Sequence, residues 1–132
     1  MIENTLKLCK SLPLLQCGKL SLQEVAEVAR RAHFFIGADS AVMHIAAAVD
    51  TPVLAFFGPS GAFHWGAWDN SCMECGYKNK NGIQTMGKHT VYQVDWECAP
   101  CGKDGCDGSK ISKCLIEGID IECVKSILKE KI

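Results

Sequence analysis

Asp39, Ser40 and His44 fall within one six-residue stretch, and Gly58-Pro59-Ser60 follows after two further segments. A carboxylate, a hydroxyl and an imidazole can bind a polar ligand if one sheet edge gathers them. Phe34-Phe35-Ile36 is an apolar run that reads as a short buried strand. Gly37-Ala38 permits a close turn. Asp39-Ser40 then stands at a helix entrance, where side-chain oxygens accept bonds from unpaired helix N–H groups. Val42, Ile45, Ala46 and Val49 recur at i, i+3, i+4 and i+7, the spacing of one helix face. Asp50-Thr51-Pro52 ends that helix, Val53–Phe57 reads as a second strand, and Gly58-Pro59 closes it with a turn. Strand, helix, strand is the order of a right-handed βαβ unit in a parallel sheet. Such sheets bind ligands beyond the carboxyl ends of their strands. Asp39, Ser40, Ala41, Gly58, Pro59 and Ser60 all fall at that edge. A helix N-terminus there offers free N–H donors and the positive end of a dipole, which suits a phosphate. His44 lies one turn after Ser40 and leans back towards the same mouth, because helical side chains tilt towards the N-terminus. Two readings stand open here: an ordinary helix cap, and a ligand pocket whose occupant the spacing does not name.

The nine cysteines are a second chemical signal, and their odd number rules out complete internal pairing. Cys98-x2-Cys101 followed by Cys106 and Cys114 has the spacing of one tetrathiolate site, a donor set that favours zinc. Cys72-x2-Cys75 with Cys98-x2-Cys101 is an alternative pair of knuckles, although the 22 residues between them exceed the common spacing. Disulfides and free thiols are the other readings. Cys9, Cys17 and Cys123 read as core or surface thiols. A redox use of Cys98-x2-Cys101 is weaker, because the motif does not follow a strand and open a helix. Trp65 and Trp68 read equally well as a ligand platform and as packing anchors.

These groups need a scaffold, and 132 residues make one domain the expectation. A net charge of −1 gives no electrostatic case for nucleic acid or an anionic membrane. No apolar run approaches the ~20 residues needed to span a bilayer. Residues 1–17 lack the long apolar core and cleavage site of a signal peptide, so a cytosolic chain is expected. Leu12-Pro13-Leu14-Leu15 has the composition of a short edge strand, and Gly18-Lys19-Leu20 that of a turn. Ser21 and Glu24 form a capping box, with Leu20 and Val25 as the staple across it. Leu22, Val25, Ala26, Ala29 and Ala32 make the apolar stripe of a helix over about Leu22–Ala32. Residues 61–87 show little periodicity, and Thr90–Val94 reads as a strand. Residues 98–114 form a loop rich in Cys, Gly and Lys. Asp120 caps a last helix with Ile121, Val124, Ile127 and Leu128 on one face. The expectation is an α/β fold: one domain over 1–132, with an irregular, cysteine-rich segment at about 61–115. Few strands are visible, so the sheet reads as part of a larger one.

The words GADSAVMHIAAAVDTPVLAFFGPS and HWGAW resemble the C-terminal half of bacterial lipopolysaccharide heptosyltransferases, glycosyltransferase family 9. Gly18–Glu24 is similar to the helix entrance that precedes this word in the family. Residues 95–106 with Ser112-Lys113-Cys114-Leu115 look like the late cysteine-rich stretch of the heptosyltransferase III-like branch. The resemblance covers most of the chain from Gly18 onward. It implies the GT-B architecture of two Rossmann-like halves, of which this is a partial C-terminal half with a parallel sheet, flanking helices and a Cys-rich loop. That half binds the nucleotide-sugar donor, typically ADP-heptose. The N-terminal half holds the lipid-linked core acceptor and the catalytic base, and transfer inverts the anomeric centre without a metal. The resemblance places Ser40, Ala41 and the helix amides at the diphosphate, Asp39 and His44 at the sugar or phosphate, and Leu20 beside the adenine. Gly58, Pro59 and Ser60 become a pocket wall. Two unit charges ~4 Å apart cost about 4 kcal/mol at an effective dielectric near 20, so an ionised Asp39 belongs with sugar hydroxyls or a cap rather than with the diphosphate. Zinc on Cys98, Cys101, Cys106 and Cys114 would be structural. The expected protein is therefore the donor-binding portion of an enzyme that works at the cytoplasmic face of the inner membrane. It would pair with a second copy or with a separate acceptor-half chain. The reading from another class is a noncatalytic cysteine-rich interaction module, in one form zinc-binding, on a Rossmann-like remnant.

Overall fold

The computed structural model describes residues 7, 9–11 and 13–131. Leu12 of the expected N-terminal strand lies outside these residues. Pro13–Leu15 form no strand, and Leu14 is 84 % exposed. Pro13 has no N–H to give a ladder, and Leu14 finds no face to bury. The first described helix, α1 (Leu22–Arg31), begins with the expected capping box. Ser21 N–H donates to Glu24 Oε2 at 2.8 Å, and Glu24 N–H donates to Ser21 Oγ at 3.4 Å.

The central unit follows the sequence closely: β1 (Phe35–Ala38), α2 (Ala41–Ala48) and β2 (Val53–Phe57). The exit of α2 is a Schellman motif, with Asp50 N–H on Ala47 O and Thr51 N–H on Ala46 O. Asp50 holds φ 72° there, a position more often given to Gly. The buried Thr51 hydroxyl donates to Ala29 O at 2.6 Å and ties this exit to α1.

The later segments differ from the expectation. The stretch from about residue 61 to 115 is not simply irregular. Besides β4 (His89–Gln93), the strand expected at Thr90–Val94, it holds α3 (Ala62–Trp65), β3 (Gly82–Met86) and α4 (Lys113–Ile116). Strand β3 escapes sequence reading because its alternation is inverted. Ile83 is 47 % exposed while Gln84 is buried. Gln84 is satisfied locally, accepting from Asn79 N–H at 2.8 Å and donating to Asn79 O at 3.1 Å. A two-residue loop, Gly87-Lys88, joins β3 to β4, and Gly87 takes φ 55°. The last helix, α5 (Ile121–Lys131), is capped as expected, with Asp120 Oδ1 accepting from Glu122 N–H at 2.9 Å.

The sheet order is β1-β2-β4-β3. β1, β2 and β4 are parallel, and β3 runs antiparallel at the edge. Strand β2 is buried on both faces, as an inner strand of a parallel sheet should be. Val53, Ala55 and Phe57 face Met43, Ala46 and Ala47 of α2, together with Ala29 of α1. Leu54 and Phe56 face Val124, Ile127 and Leu128 of α5. Helices thus cover both sides of a four-stranded, mostly parallel sheet, as in part of a Rossmann-like GT-B half.

Candidate functional site

Each helix before a parallel strand returns the chain to that strand's start, so its own N-terminus lies at the carboxyl edge of the sheet. Leu20-Ser21 before α1, Ser40-Ala41 at α2, and Gly58–Ser60 after β2 therefore share one edge. The chain leaves β1 with Asp39 N–H still bonded to Phe56 O, at 3.1 Å. Ser40 is the N-cap of α2, but its side chain makes no cap bond. The Asp39 carboxylate turns the other way, and Oδ2 accepts from Ser60 Oγ at 2.6 Å. This one bond joins the α2 entrance to the turn after β2. Ser40, Ala41 and His44 are exposed around it, and the N–H of His44 bonds Ser40 O at 3.3 Å. Leu20 is half-buried at the head of α1. Among the described residues no side-chain hydrogen bond links it to Asp39, Ser40 or His44.

The turn itself is clamped from below. Gln93, at the end of β4 and 1 % exposed, donates through Nε2 to Gly58 O at 2.7 Å and Ser60 O at 2.8 Å. Sequence reading missed Gln93, because a polar residue near a strand end usually signals a solvent face. Gly58 is required by the same packing: a Cβ there would meet Leu115 Cδ1 at 2.8 Å. The cysteine-rich segment closes over the turn, with Gly102 N–H on Pro59 O at 2.8 Å. Between them lies a cavity of about 410 Å³, lined by Pro59, Ser60, Trp65, Gly102, Lys103, Asp104, Gly105 and Ser112. Lys103 and Ser112 carried no sequence signal beyond the composition of the loop. Trp65 reaches this cavity, whereas Trp68 is not among its lining residues.

The cysteines divide. Cys98, Cys101 and Cys106 line one cavity of about 160 Å³ together with Lys103. Cys114 is buried nearby, and burial pushes its thiol above the ordinary value, with Cys106 and Cys101 adding to the effect. Cys72 and Cys75 pack instead against the main core on the α2 side of the sheet. Cys17, Cys72, Cys75, Cys98, Cys101, Cys106, Cys114 and Cys123 are in no disulfide among the described residues. Among the described residues no group of three or more His, Cys, Asp or Glu side chains is placed to hold a metal ion. The fold therefore gathers three of the four thiols named for zinc on one cavity without closing them into a coordination shell. Cys72-x2-Cys75 and Cys98-x2-Cys101 lie in separate surroundings. No helix among the described residues is long and apolar enough to cross a membrane.

Part of the chain is similar in sequence to known proteins. The chain is 37 % identical over 67 residues to lipopolysaccharide heptosyltransferase 3 of Escherichia coli, a match covering 50 % of this chain and 20 % of that protein. It is 32 % identical over 88 residues to lipopolysaccharide heptosyltransferase 1 of Pseudomonas aeruginosa, covering 67 % of this chain and 20 % of that protein. The chain thus spans about a fifth of the length of these relatives. No solved structure gives a significant match. The sequence profile of glycosyltransferase family 9 (heptosyltransferase) matches residues 1–94, which run through the α2 entrance, the β2 turn and the Gln93 clamp. With its βαβ ledge and this match over most of its length, the chain belongs to glycosyltransferase family 9.

Proposed function

We propose that this chain carries the donor-binding surface of an enzyme that moves heptose from ADP-heptose to the lipopolysaccharide core. The observation that carries the reading is the Ser60–Asp39 hydrogen bond, which makes one ledge of the α2 entrance and the β2 turn. The diphosphate would rest on Ser40, Ala41 and the first amides of α2, where free N–H groups and the dipole favour negative charge. Asp39 would stand back from the phosphates. Its Oδ2 is held by Ser60, which leaves Oδ1 to accept a sugar hydroxyl. His44 would donate to a phosphate oxygen and stabilise charge on the departing ADP. Leu20 would face the adenine from the head of α1, and Gly58, Pro59 and Ser60 would wall the pocket. Transfer would invert the anomeric centre and need no metal. The base and the site for the lipid-linked acceptor would come from an acceptor half, at the cytoplasmic face of the inner membrane.

Calorimetric titration of the purified chain with ADP and ADP-heptose tests this reading. Saturable binding, weakened about tenfold in His44→Ala by loss of one charge-assisted hydrogen bond, is expected. Folded protein that binds neither ligand would overturn it. A second reading rests on the three thiols that share one cavity. There the segment would close on zinc and act as a noncatalytic interaction module. One zinc per chain, lost in Cys101→Ser, would favour it.

A further inference from the structure

We propose that Cys98 and Cys101 form a reversible dithiol–disulfide site whose state is relayed to the Gly58–Ser60 turn. Cys98, Cys101 and Cys106 line one cavity of about 160 Å³. Lys103 and Asp107 line it too, so its charge selects no ion, and sulfur is the chemistry that sets it apart. Exposure then chooses among the thiols. Cys98 and Cys101 are exposed, Cys106 is half-buried and Cys114 is buried. Thiol–disulfide exchange needs sulfurs open to a small reactant, which selects the first two. The backbone between them is anchored. Ala99, 1 % exposed, donates its N–H to Trp96 O at 2.9 Å, and its carbonyl accepts from Asn81 Nδ2 at 2.9 Å. With Ala99 held inward, the flanking residues present their sulfurs to the same cavity, at the C-x-x-C spacing of dithiol sites. The next residue carries the coupling. Gly102 takes φ 66°, and its N–H donates to Pro59 O at 2.8 Å. A disulfide fixes its two Cβ atoms about 3.8 Å apart and its torsion near a right angle. The bond would thus restrain the Cys101–Gly102 peptide, whose N–H holds Pro59. The Ser60 N–H belongs to the same peptide as Pro59 O, so it reports on that contact.

The co-reactant is a small-molecule disulfide of the glutathione class. One protein thiolate attacks a glutathione sulfur and expels a glutathione thiolate, which leaves a mixed disulfide. The second protein thiolate attacks the protein sulfur of that bond and expels the other glutathione. The protein loses two S–H bonds and gains one S–S bond. Its two electrons and two protons leave on two molecules of reduced glutathione, and an excess of these reverses the step.

The inference goes beyond the donor reading and does not need it. Its test is equilibration of the full chain in glutathione buffers with a chelator present, read by intact mass, disulfide peptide mapping and amide chemical shifts. In excess oxidised glutathione about nine tenths of the chain is expected to carry the Cys98–Cys101 bond, and in excess reduced glutathione about a tenth. The Gly102 and Ser60 amides should shift between the two states while those of Val53, Leu54 and Ala55 stay in place. Cys98→Ser should stop at a glutathione adduct on Cys101, whereas Cys106→Ser should still form the disulfide. The proposal is overturned if no internal disulfide forms, if mapping places it on another pair, or if it forms with Gly102 and Ser60 unmoved. The ADP titration, run on the same samples, separates the two readings. ADP binding without the disulfide sinks only this site. The disulfide without ADP binding sinks only the donor ledge.

Discussion

The βαβ unit of Phe35–Phe57 and the cysteine-rich segment of residues 95–116 meet at one sheet edge but are held in place differently. Val53, Leu54 and Ala55 are fully buried, and β2 pairs with strands on both sides. In the cysteine-rich segment Cys98 and Cys101 are exposed, and only Ala99 and Cys114 join Val94 in a small buried cluster. The segment is pinned by separate bonds: Gly102 N–H on Pro59 O, Cys106 N–H on Ile111 O, and Asn81 Nδ2 on Trp96 O and Ala99 O. Burial is distributed and cooperative, so it fixes the ledge as part of the whole fold. Point hydrogen bonds fix a loop one contact at a time, so its geometry can change while the fold stands.

That contrast can be broken most readily at Phe57, whose side chain is 1 % exposed in the main core. Phe57→Ala should cost about 4 kcal/mol in urea unfolding, because a buried cavity is left behind. Gln93→Ala tests the join between the regions. It leaves two carbonyls without their donor and should cost about 2 kcal/mol, with weaker ADP binding as the turn loosens. Acidification tests the sheet side alone. His89 is fully buried, neither ring nitrogen is hydrogen-bonded among the described residues, and burial lowers its pKa from the ordinary 6.5. The unfolded chain takes up a proton near that value while the folded chain resists it. Stability from neutral His89 is therefore present above about pH 6.5 and lost as pH falls through it. Urea midpoints at pH 7.5 and 5.5 should fall with acid, and less so in His89→Leu. Asp69 adds a later loss. Its carboxylate accepts from Ser71 and from Lys88 N–H, which holds it well below the ordinary 3.8, so its contribution goes as pH drops below that value. Cys101→Ser, at an exposed position, should change stability by less than about 0.5 kcal/mol. A Cys101→Ser cost equal to that of Phe57→Ala would mean that the segment is part of the cooperative core.

The same division explains what could be read from the sequence. Val53–Phe57 and the Ser21–Glu24 capping box announce themselves, because apolar runs and caps are local signals. The gathering of Asp39, Ser40 and Ser60 at one edge followed from the βαβ order. The direction of the Asp39 side chain did not, since a cap and a cross-loop bond to Ser60 look alike in sequence. Strand β3 was hidden because Gln84 occupies a buried position that its own loop satisfies. Gln93 was hidden because its role depends on contacts distant in the chain, its amide reaching back 35 residues to Gly58 and 33 to Ser60. Spacing placed the cysteines as a set, whereas the fold sends Cys72 and Cys75 to one face and Cys98, Cys101 and Cys106 to a separate cavity.

The proposed donor site lies on the buried-scaffold side of this comparison, at the entrance of α2. Amide chemical-shift mapping with ADP alone tests it most directly. The largest shifts are expected on Ser40, Ala41 and His44, with smaller ones at Ser60. Shifts centred on residues 98–114, with the α2 entrance silent, would contradict it.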